Sequence, residues 1–385
     1  MHFDLSEEQR LLKDTVERFV AREYGFERRR TIIESEEGIS RDIWSQLAEL
    51  GLLALPFAEG DGGLGGGPVE MMVVGEAFGR ALLVEPWFAS VVLAGSVLRS
   101  AASPLQREAW LPGLIAGTQF ATLAHFEPGS RYETARVTAQ ARTIAGGHVL
   151  SGAKSGVPHA HVADHILVSA RHTDADDDVQ GISLFAVPRD AEGLVLRSHA
   201  THDGQRAADL QLHEVVLPKC ALIGPLGGAL PIIEHALDRG IAALCAFAVG
   251  TMSALYEATL EHVKTRQQFG VPIGKFQALQ HRMAEMLMHL EHARSMLLLA
   301  TARAEIVDTA LRQCTLSAAK AVIGQCARFV GQQAVQLHGG MGVTDELIVS
   351  HHFKSLTVFN LQLGDSEHHL ARVSDALLRE SALAA

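Results

Sequence analysis

A chain of 385 residues with 48% hydrophobic side chains is long enough for two or three domains and a substantial core. No run approaches about eighteen uninterrupted apolar residues, so no membrane span is expected, and a formal charge of −11 argues against a nucleic-acid surface. The acidic start lacks the basic and apolar stretches of a secretory signal, and Cys220, Cys245, Cys314 and Cys326 show no CxxC spacing, which together predict reduced thiols and a cytoplasmic protein.

In chain order, Ser6 and Gln9 form a capping box ahead of Leu11, Val16, Phe19 and Val20. Ser40 predicts the next helix start, with Ile43, Trp44, Leu47 and Leu50 on one face and Gly51 as the C′ residue. Glycine then fills six of the eight positions from Gly60 to Gly67. No clear strand precedes this run and no Lys-Ser/Thr follows it, so a flexible connector is expected and not a phosphate loop. Further helices are predicted at 69–78, 88–100 and 104–114, the last with Ser103 as N-cap, Pro104 at N1 and Gln106 at N3.

The period then switches. Short apolar pieces at 120–124, 137–141, 148–151, 165–170, 182–187, 194–197, 208–212 and 215–217, separated by turn residues, predict a small β-barrel or sandwich. The acidic run at 174–178 lacks the Gly and terminal Glu of a calcium loop and reads as a solvated hairpin tip. Beyond Gly224 and Gly228, long helical patterns predict a four-helix bundle. The chain is therefore expected to be an α+β multidomain protein: an all-α N-terminal domain (1–118), a middle β domain (119–226) and a C-terminal four-helix bundle (227–385).

Two long apolar-periodic runs, about 231–265 and 276–303, flank the stretch Arg266-Gln-Gln-Phe-Gly-Val-Pro-Ile-Gly-Lys-Phe-Gln-Ala-Leu-Gln280. Gly270, Pro272 and Gly274 stop the first helix and open a tight turn, giving an antiparallel helix pair with Arg266, Gln268 and Phe269 at its elbow. An Arg at a loop mouth, an aromatic ring three residues on and N–H groups at the next helix start suit a phosphate diester and a planar ring. The bland alternative is a hairpin whose Arg makes a surface salt bridge. A second string, Gln336-Leu-His-Gly-Gly-Met-Gly-Val-Thr344, follows a predicted helix (311–337) and not a strand, so it lacks the mechanics of a dinucleotide fingerprint; helix termination by glycine is its plainer role. The pairs His351-His352 and His368-His369 diverge by about 100° on a helix, and no third ligand stands at metal spacing, so no metal site is expected.

These two strings, in this order and spacing, closely resemble the signatures of the acyl-CoA dehydrogenase family of flavoproteins, and the resemblance runs from Phe3 to the last helix. It implies the same three-domain order, a dimer or dimer of dimers, and FAD at subunit interfaces. It also implies dehydrogenation of an acyl-CoA thioester, with electrons passed to an electron-transfer acceptor. Arg266, Gln268, Phe269, Gln277, Gln336, Gly339 and Gly340 match the residues that such proteins extend to a neighbouring subunit's FAD.

The other half of the family pattern is altered. Where members carry Thr-Glu-Pro-x-Ala-Gly-Ser-Asp, this chain has Phe126-Glu-Pro-Gly-Ser-Arg-Tyr-Glu133; where they carry Lys-x-Trp-Ile-Thr-Asn, it has Lys154-Ser-Gly-Val-Pro-His159. Gly156 thus replaces a Trp, and Pro158 offers neither hydroxyl nor N–H. The family's chemistry needs a carboxylate to take the α-proton. In Gln362-Leu-Gly-Asp-Ser-Glu-His-His369, Leu363 stands where that Glu belongs, and the alternative position on a bundle helix falls at Gly240 and Ile241. Asp365 is the remaining candidate base, with capping of the last helix as its competing role. The pattern resembles the small subunits of heteromeric bacterial acyl-CoA dehydrogenases, the pimeloyl-CoA dehydrogenase small subunit among them, which implies a paralogue that supplies the base. Two other readings are a self-sufficient homo-oligomer using Asp365 and a flavin-free scaffold; retention of Arg266 and Phe269 argues against the latter.

Overall fold

A computed structural model describes residues 4–172 and 179–384, so the acidic run at 174–178 lies outside the described residues. Ser6 caps α1 (Glu7–Glu23) in the expected box, its hydroxyl accepting from the Gln9 N–H at 3.1 Å while the Gln9 side chain accepts from the Ser6 N–H at 2.9 Å. A short helix with no cap signal in the sequence, α2 (Phe26–Glu34), follows. In α3 (Arg41–Glu49), Ile43, Trp44 and Leu47 are buried as expected, and Gly51 (φ +75°) ends the helix in a Schellman motif, with Gly51 N–H donating to Ala48 O and Leu52 N–H to Leu47 O. Leu50 corrects the predicted face: it is 40% exposed, because it sits at the C-cap, past the turn that covers the other three.

The glycine run is a connector, leading to α4 (Pro68–Ala81). The predicted helix at 88–100 is wound differently: Trp87–Ala94 is a π-helix that passes into α5 (Gly95–Ala101). After α6 (Pro104–Ile115) come β1 (Ala121–Ala124), β2 (Gln140–Ile144), β3 (Gly147–Pro158), β4 (His165–Arg171), β5 (Ile182–Pro188), β6 (Leu194–Ala200), β7 (Arg206–Pro218) and β8 (Leu222–Ile223). They form one eight-stranded sheet, ordered β6-β7-β3-β2-β4-β5-β8, with β1 parallel to β4. The pieces predicted at 208–212 and 215–217 are a single strand, kinked by a bulge where Glu214 takes φ +51° and the register against β3 jumps between Leu150 and Gly152. β4 and β5 are buried on both faces, which is why they read as apolar runs without alternation. Leu150, Val168, Phe185, Leu210 and Val215 lie in one core cluster of this sheet.

The remaining elements are α7 (Leu230–Thr265), the two-stranded ribbon β9 (Gln267–Gln268) and β10 (Val271–Pro272), then α8 (Gln277–Arg303), α9 (Thr309–His338), α10 (Ile348–Leu361) and α11 (Ser366–Ala384). α7 is long and apolar enough to cross a membrane, but 67% of its most apolar window is buried within the protein, the pattern of a core helix. The chain divides into two compact units. One holds Thr31–Gly66 and Val84–Gly240, and contains the sheet with α3, α5 and α6. The other holds Met1–Arg30, Gly67–Leu83 and Ile241–Ala385, so α1 and α4 join the C-terminal helices. Within it, α4 and α7 touch backbone to backbone: a β-carbon on Gly79 would meet Phe247 O at 1.9 Å, and one on Gly250 would meet Glu76 O at 2.0 Å.

Candidate functional site

The elbow is built by helix ends and turn chemistry. The Arg266 N–H closes the last turn of α7 on His262 O at 2.9 Å, and Ile273 N–H returns to Arg266 O at 2.8 Å. Between them Gln268 pairs with Val271 and Gln267 with Pro272, leaving Phe269 and Gly270 as a two-residue loop with φ +55° and +78°. Two consecutive left-handed residues define a type I′ hairpin. That suits glycine but strains an aromatic residue, and the reward is position: Phe269 stands 91% exposed at the tip, edge-on to Phe276 at 6.1 Å. Gln268 and Gln277 are exposed beside it, Gln277 as the first residue of α8. Among the described residues no acid pairs with the exposed Arg266, so the salt-bridge reading finds no partner there.

The second string ends α9. Gly339 has φ +63°, and a β-carbon on either Gly339 or Gly340 would meet nothing within 4 Å. Gly340 therefore needs to be glycine neither for its backbone nor for packing within the chain, and its backbone is open to an outside group. The two strings meet at one end of the bundle. His262, one turn before Arg266, stacks on His338 with ring centroids 4.2 Å apart and planes 26° off parallel, and Arg282 of α8 donates to the Gln333 side chain of α9. Arg266, Gln268, Phe269, Gln277, Gln336, Gly339 and Gly340 thus share this end. The donor set fits a diphosphate ester carrying a planar ring.

Asp365 lies elsewhere. It caps α11, its carboxylate accepting from the His368 N–H at 2.8 Å. The turn before it carries Leu363 (φ +53°) and Gly364 (φ +114°). Two buried side chains pin this turn from beneath: Lys320, which sequence analysis did not single out, and His369, weighed there only as half of a metal pair. Lys320 of α9 donates to Phe359 O and Gly364 O, both at 2.9 Å, and His369 Nε2 lies 3.1 Å from Leu363 O. Burial pulls Lys320 down to about 8 and His369 to about 3. The available signal was a lone Lys in the small-residue run Ser317-Ala-Ala-Lys-Ala-Val322. Lys320 and Gln336 are sixteen residues apart on α9, about 24 Å, so the elbow group and the Leu363–Asp365 turn are two places and not one. A cavity of about 280 Å³ lies between α9 and α10 over Arg328, Gln332, Phe353, Thr357 and Asn360, and has no acid or His in its lining.

In the sheet unit, Glu127 and Lys154 form a buried pair at 2.6 Å, with 3% and 0% side-chain exposure. Lys154 Nζ also donates to Ser169 Oγ at 2.9 Å and His125 O at 3.0 Å; Glu127 accepts from the N–H groups of Thr138 and Ala139. Burial would raise the Glu127 carboxyl, but Lys154 and Thr138 outweigh it and hold it below its ordinary value. Lys154 itself is drawn down to about 8 by burial, against the pull of Glu127. The pair ties the 126–133 segment to β3. Gly156 is exposed at φ +60° with open space around it, and Pro158 O accepts from Thr122 Oγ1 at 2.6 Å. His159 is buried at φ +53°, with Nε2 2.9 Å from Val84 O. Of the predicted histidine pairs, His351 Nδ1 lies 3.1 Å from Arg29 and His352 is buried; no group of three or more metal-ligating side chains occurs among the described residues.

Family models match along the chain: acyl-CoA dehydrogenase N-terminal domain at 6–118, middle domain at 122–220 and C-terminal domain at 229–378. Among solved structures, the Tcur3481-Tcur3483 steroid ACAD is similar at 30% identity and a TM-score of 0.87, covering 98% of this chain and 99% of that one. The ChsE4-ChsE5 complex from Mycobacterium tuberculosis is similar at 25% identity and a TM-score of 0.88, with 98% and 99% covered. A probable acyl-CoA dehydrogenase, YngJ of Bacillus subtilis (strain 168), is 28% identical over 386 residues, 98% of this chain and 100% of that protein.

Proposed function

The chain belongs to the acyl-CoA dehydrogenase family, and from that premise we propose that it is an FAD-dependent acyl-CoA dehydrogenase subunit that works beside a paralogue supplying the catalytic base. The observation that carries this reading is the separation on α9: an outward-facing donor group at one end, and a turn with Leu363 in place of the base at the other.

FAD, when bound, supplies the acceptor for the hydride that leaves the substrate β-carbon. The chain's residues have narrower tasks. Arg266 would neutralise a phosphate of a neighbouring subunit's FAD, Gly339 and Gly340 would let that diphosphate approach the backbone, and Phe269 would offer its ring, with Gln268, Gln277 and Gln336 as further polar contacts. At the other end Leu363 has no atom that accepts an α-proton, and the Asp365 carboxylate is already held by the helix it caps. Two similar structures carry paired names, Tcur3481-Tcur3483 and ChsE4-ChsE5, which supports a two-chain assembly.

Expression alone and with the neighbouring paralogue tests this. The chain alone is expected to hold FAD weakly and to lack turnover of acyl-CoA thioesters with an artificial electron acceptor, because loss of a positioned base costs on the order of 10²–10⁴ in rate. Co-expression is expected to give a full flavin spectrum and turnover. Robust turnover by the chain alone, abolished in Asp365→Asn, would replace this reading with a self-sufficient homo-oligomer.

A further inference from the structure

The elbow and the second glycine string are joined by two imidazoles. His262 and His338 stack at 4.2 Å between centroids, His262 one helical turn before Arg266 and His338 immediately before Gly339. His338 Nδ1 lies 2.9 Å from Ala334 O. A carbonyl only accepts, so Nδ1 carries the proton and Nε2 is left as an acceptor. No acid pairs with either ring among the described residues. Of the cations on these elements, Arg266 on α7 acts on His262, Arg282 of α8 is engaged by Gln333, and Lys275 is exposed in the elbow. Glu261 and Lys264 are exposed on α7, and His281 and Glu285 lie on α8. In this setting, burial, then His338 and Arg266, hold the His262 imidazole below its ordinary value.

We propose that His262 and His338 form a proton-coupled part of the anion site at this end of the bundle, taking up one proton when a nucleotide diphosphate settles against Arg266 and Gly339–Gly340. This rests on the donor role given above to Arg266 and deepens it. Two rings in face contact do not both accept a proton, so the uptake is one. A dianionic diphosphate beside them reverses the local balance: the field that disfavoured imidazolium now favours it. By linkage, a site whose ligand raises a neighbouring pKa binds that ligand more tightly as pH falls. The cofactor contact would then be pH-dependent through side chains that never touch the reacting atoms.

The test is titration of FAD, and of ADP as a flavin-free diphosphate, into the purified full chain between pH 8 and pH 6. Wild type is expected to bind both about five- to tenfold more tightly at the acid end, within the limit of tenfold per pH unit for one proton. His262→Phe keeps a flat ring on His338 but removes one titrating group, and is expected to lose most of this slope while retaining affinity at pH 8; His338→Phe is the matching control. A packing role alone would change affinity at every pH and leave the slope. A wild-type affinity independent of pH, or a slope unchanged in His262→Phe, overturns the proposal. The donor reading is judged separately. Arg266→Ala is expected to weaken FAD at every pH, and if it does not, that reading fails whatever the histidines do. Weak binding by the chain alone is what the donor reading expects, so the same titration is run on the flavin-stripped complex with the paralogue; absence of FAD and ADP binding there as well overturns both.

Discussion

Replacing Glu127 by Gln preserves the shape of the segment ahead of β2 and removes only charge, so it isolates the buried pair. In the native protein the Lys154 ammonium is fully buried and spends its three N–H donors on Glu127, Ser169 and His125. In the Glu127→Gln variant that positive charge has no counter-charge, and breaking such a pair costs about 3–5 kcal/mol. An independent ceiling comes from the alternative open to the lysine, which is to shed its proton. Doing so at pH 7 against an ordinary pKa of about 10.4 costs about 5 kcal/mol. Both routes give the same range. The sign with pH is also fixed: between pH 7 and about 8 the unfolded variant holds the proton that the folded one lacks while folded wild type still keeps it, so the deficit shrinks as pH rises. Above about 8 wild-type Lys154 titrates as well and the deficit levels off. Urea unfolding of wild type, Glu127→Gln and the double variant Glu127→Gln/Lys154→Met measures this. The double variant should recover at least half of the loss, because no charge is left to bury. A single-variant loss under about 1 kcal/mol, or a double variant less stable than the single, would refute the argument.

Burial holds His125, His352 and His369 near 3 and His159 near 4, against an ordinary value of 6.5. Their folded pKa values are depressed, so the unfolded chain takes up the protons and stability falls as pH drops through 6.5. At pH 5.5 each costs about 1.4 kcal/mol and the four together about 5–6; a urea midpoint unchanged between pH 7.5 and 5.5 would contradict this. Gly79→Ala, whose β-carbon would lie 1.9 Å from Phe247 O, is expected to lower the melting temperature by several degrees, and a melting temperature equal to wild type would show that α4 and α7 separate freely. On the proposed reading, Leu363→Glu alone is expected to give at most a trace of dehydrogenation after FAD loading, since Phe126, Gly156 and Pro158 also differ from the family pattern; activity typical of the family would show that those three differences do not matter.

Much of this was legible because it rests on local chemistry. Capping boxes at Ser6 and Ser103, the glycine after α3 and the turn glycines of the elbow all announce themselves within four residues. What escaped depends on partners far along the chain. The 208–212 and 215–217 pieces look separate because a bulge interrupts the alternation, and only pairing with β3 shows one strand. The π-winding of Trp87–Ala94 has no local signature, since its eight residues suit an ordinary helix equally well. Lys320 and His369 were invisible as a pair: they stand 49 positions apart, and what joins them is a turn whose carbonyls each holds.

The same two residues bear on which side chains position 363 tolerates. Leu363 and Gly364 occupy conformations that L side chains rarely adopt, and a β-carbon on Gly364 would sit 2.5 Å from His369 Nε2. The turn is therefore held by its carbonyls, from Lys320 and His369, and not by the side chain at position 363. Exchanging a carboxylate for a leucine there leaves every one of those bonds in place. About 24 Å away along α9, the elbow depends on none of them. The turn at 363–365 and the elbow are thus held by separate contacts at separate places along α9. Lys320→Met puts that independence to the test: amide exchange should quicken at 362–369 while the elbow amides at 267–273 keep their rates. Equal acceleration at both ends would mean that α9 transmits the disturbance, and that the two ends are not separable.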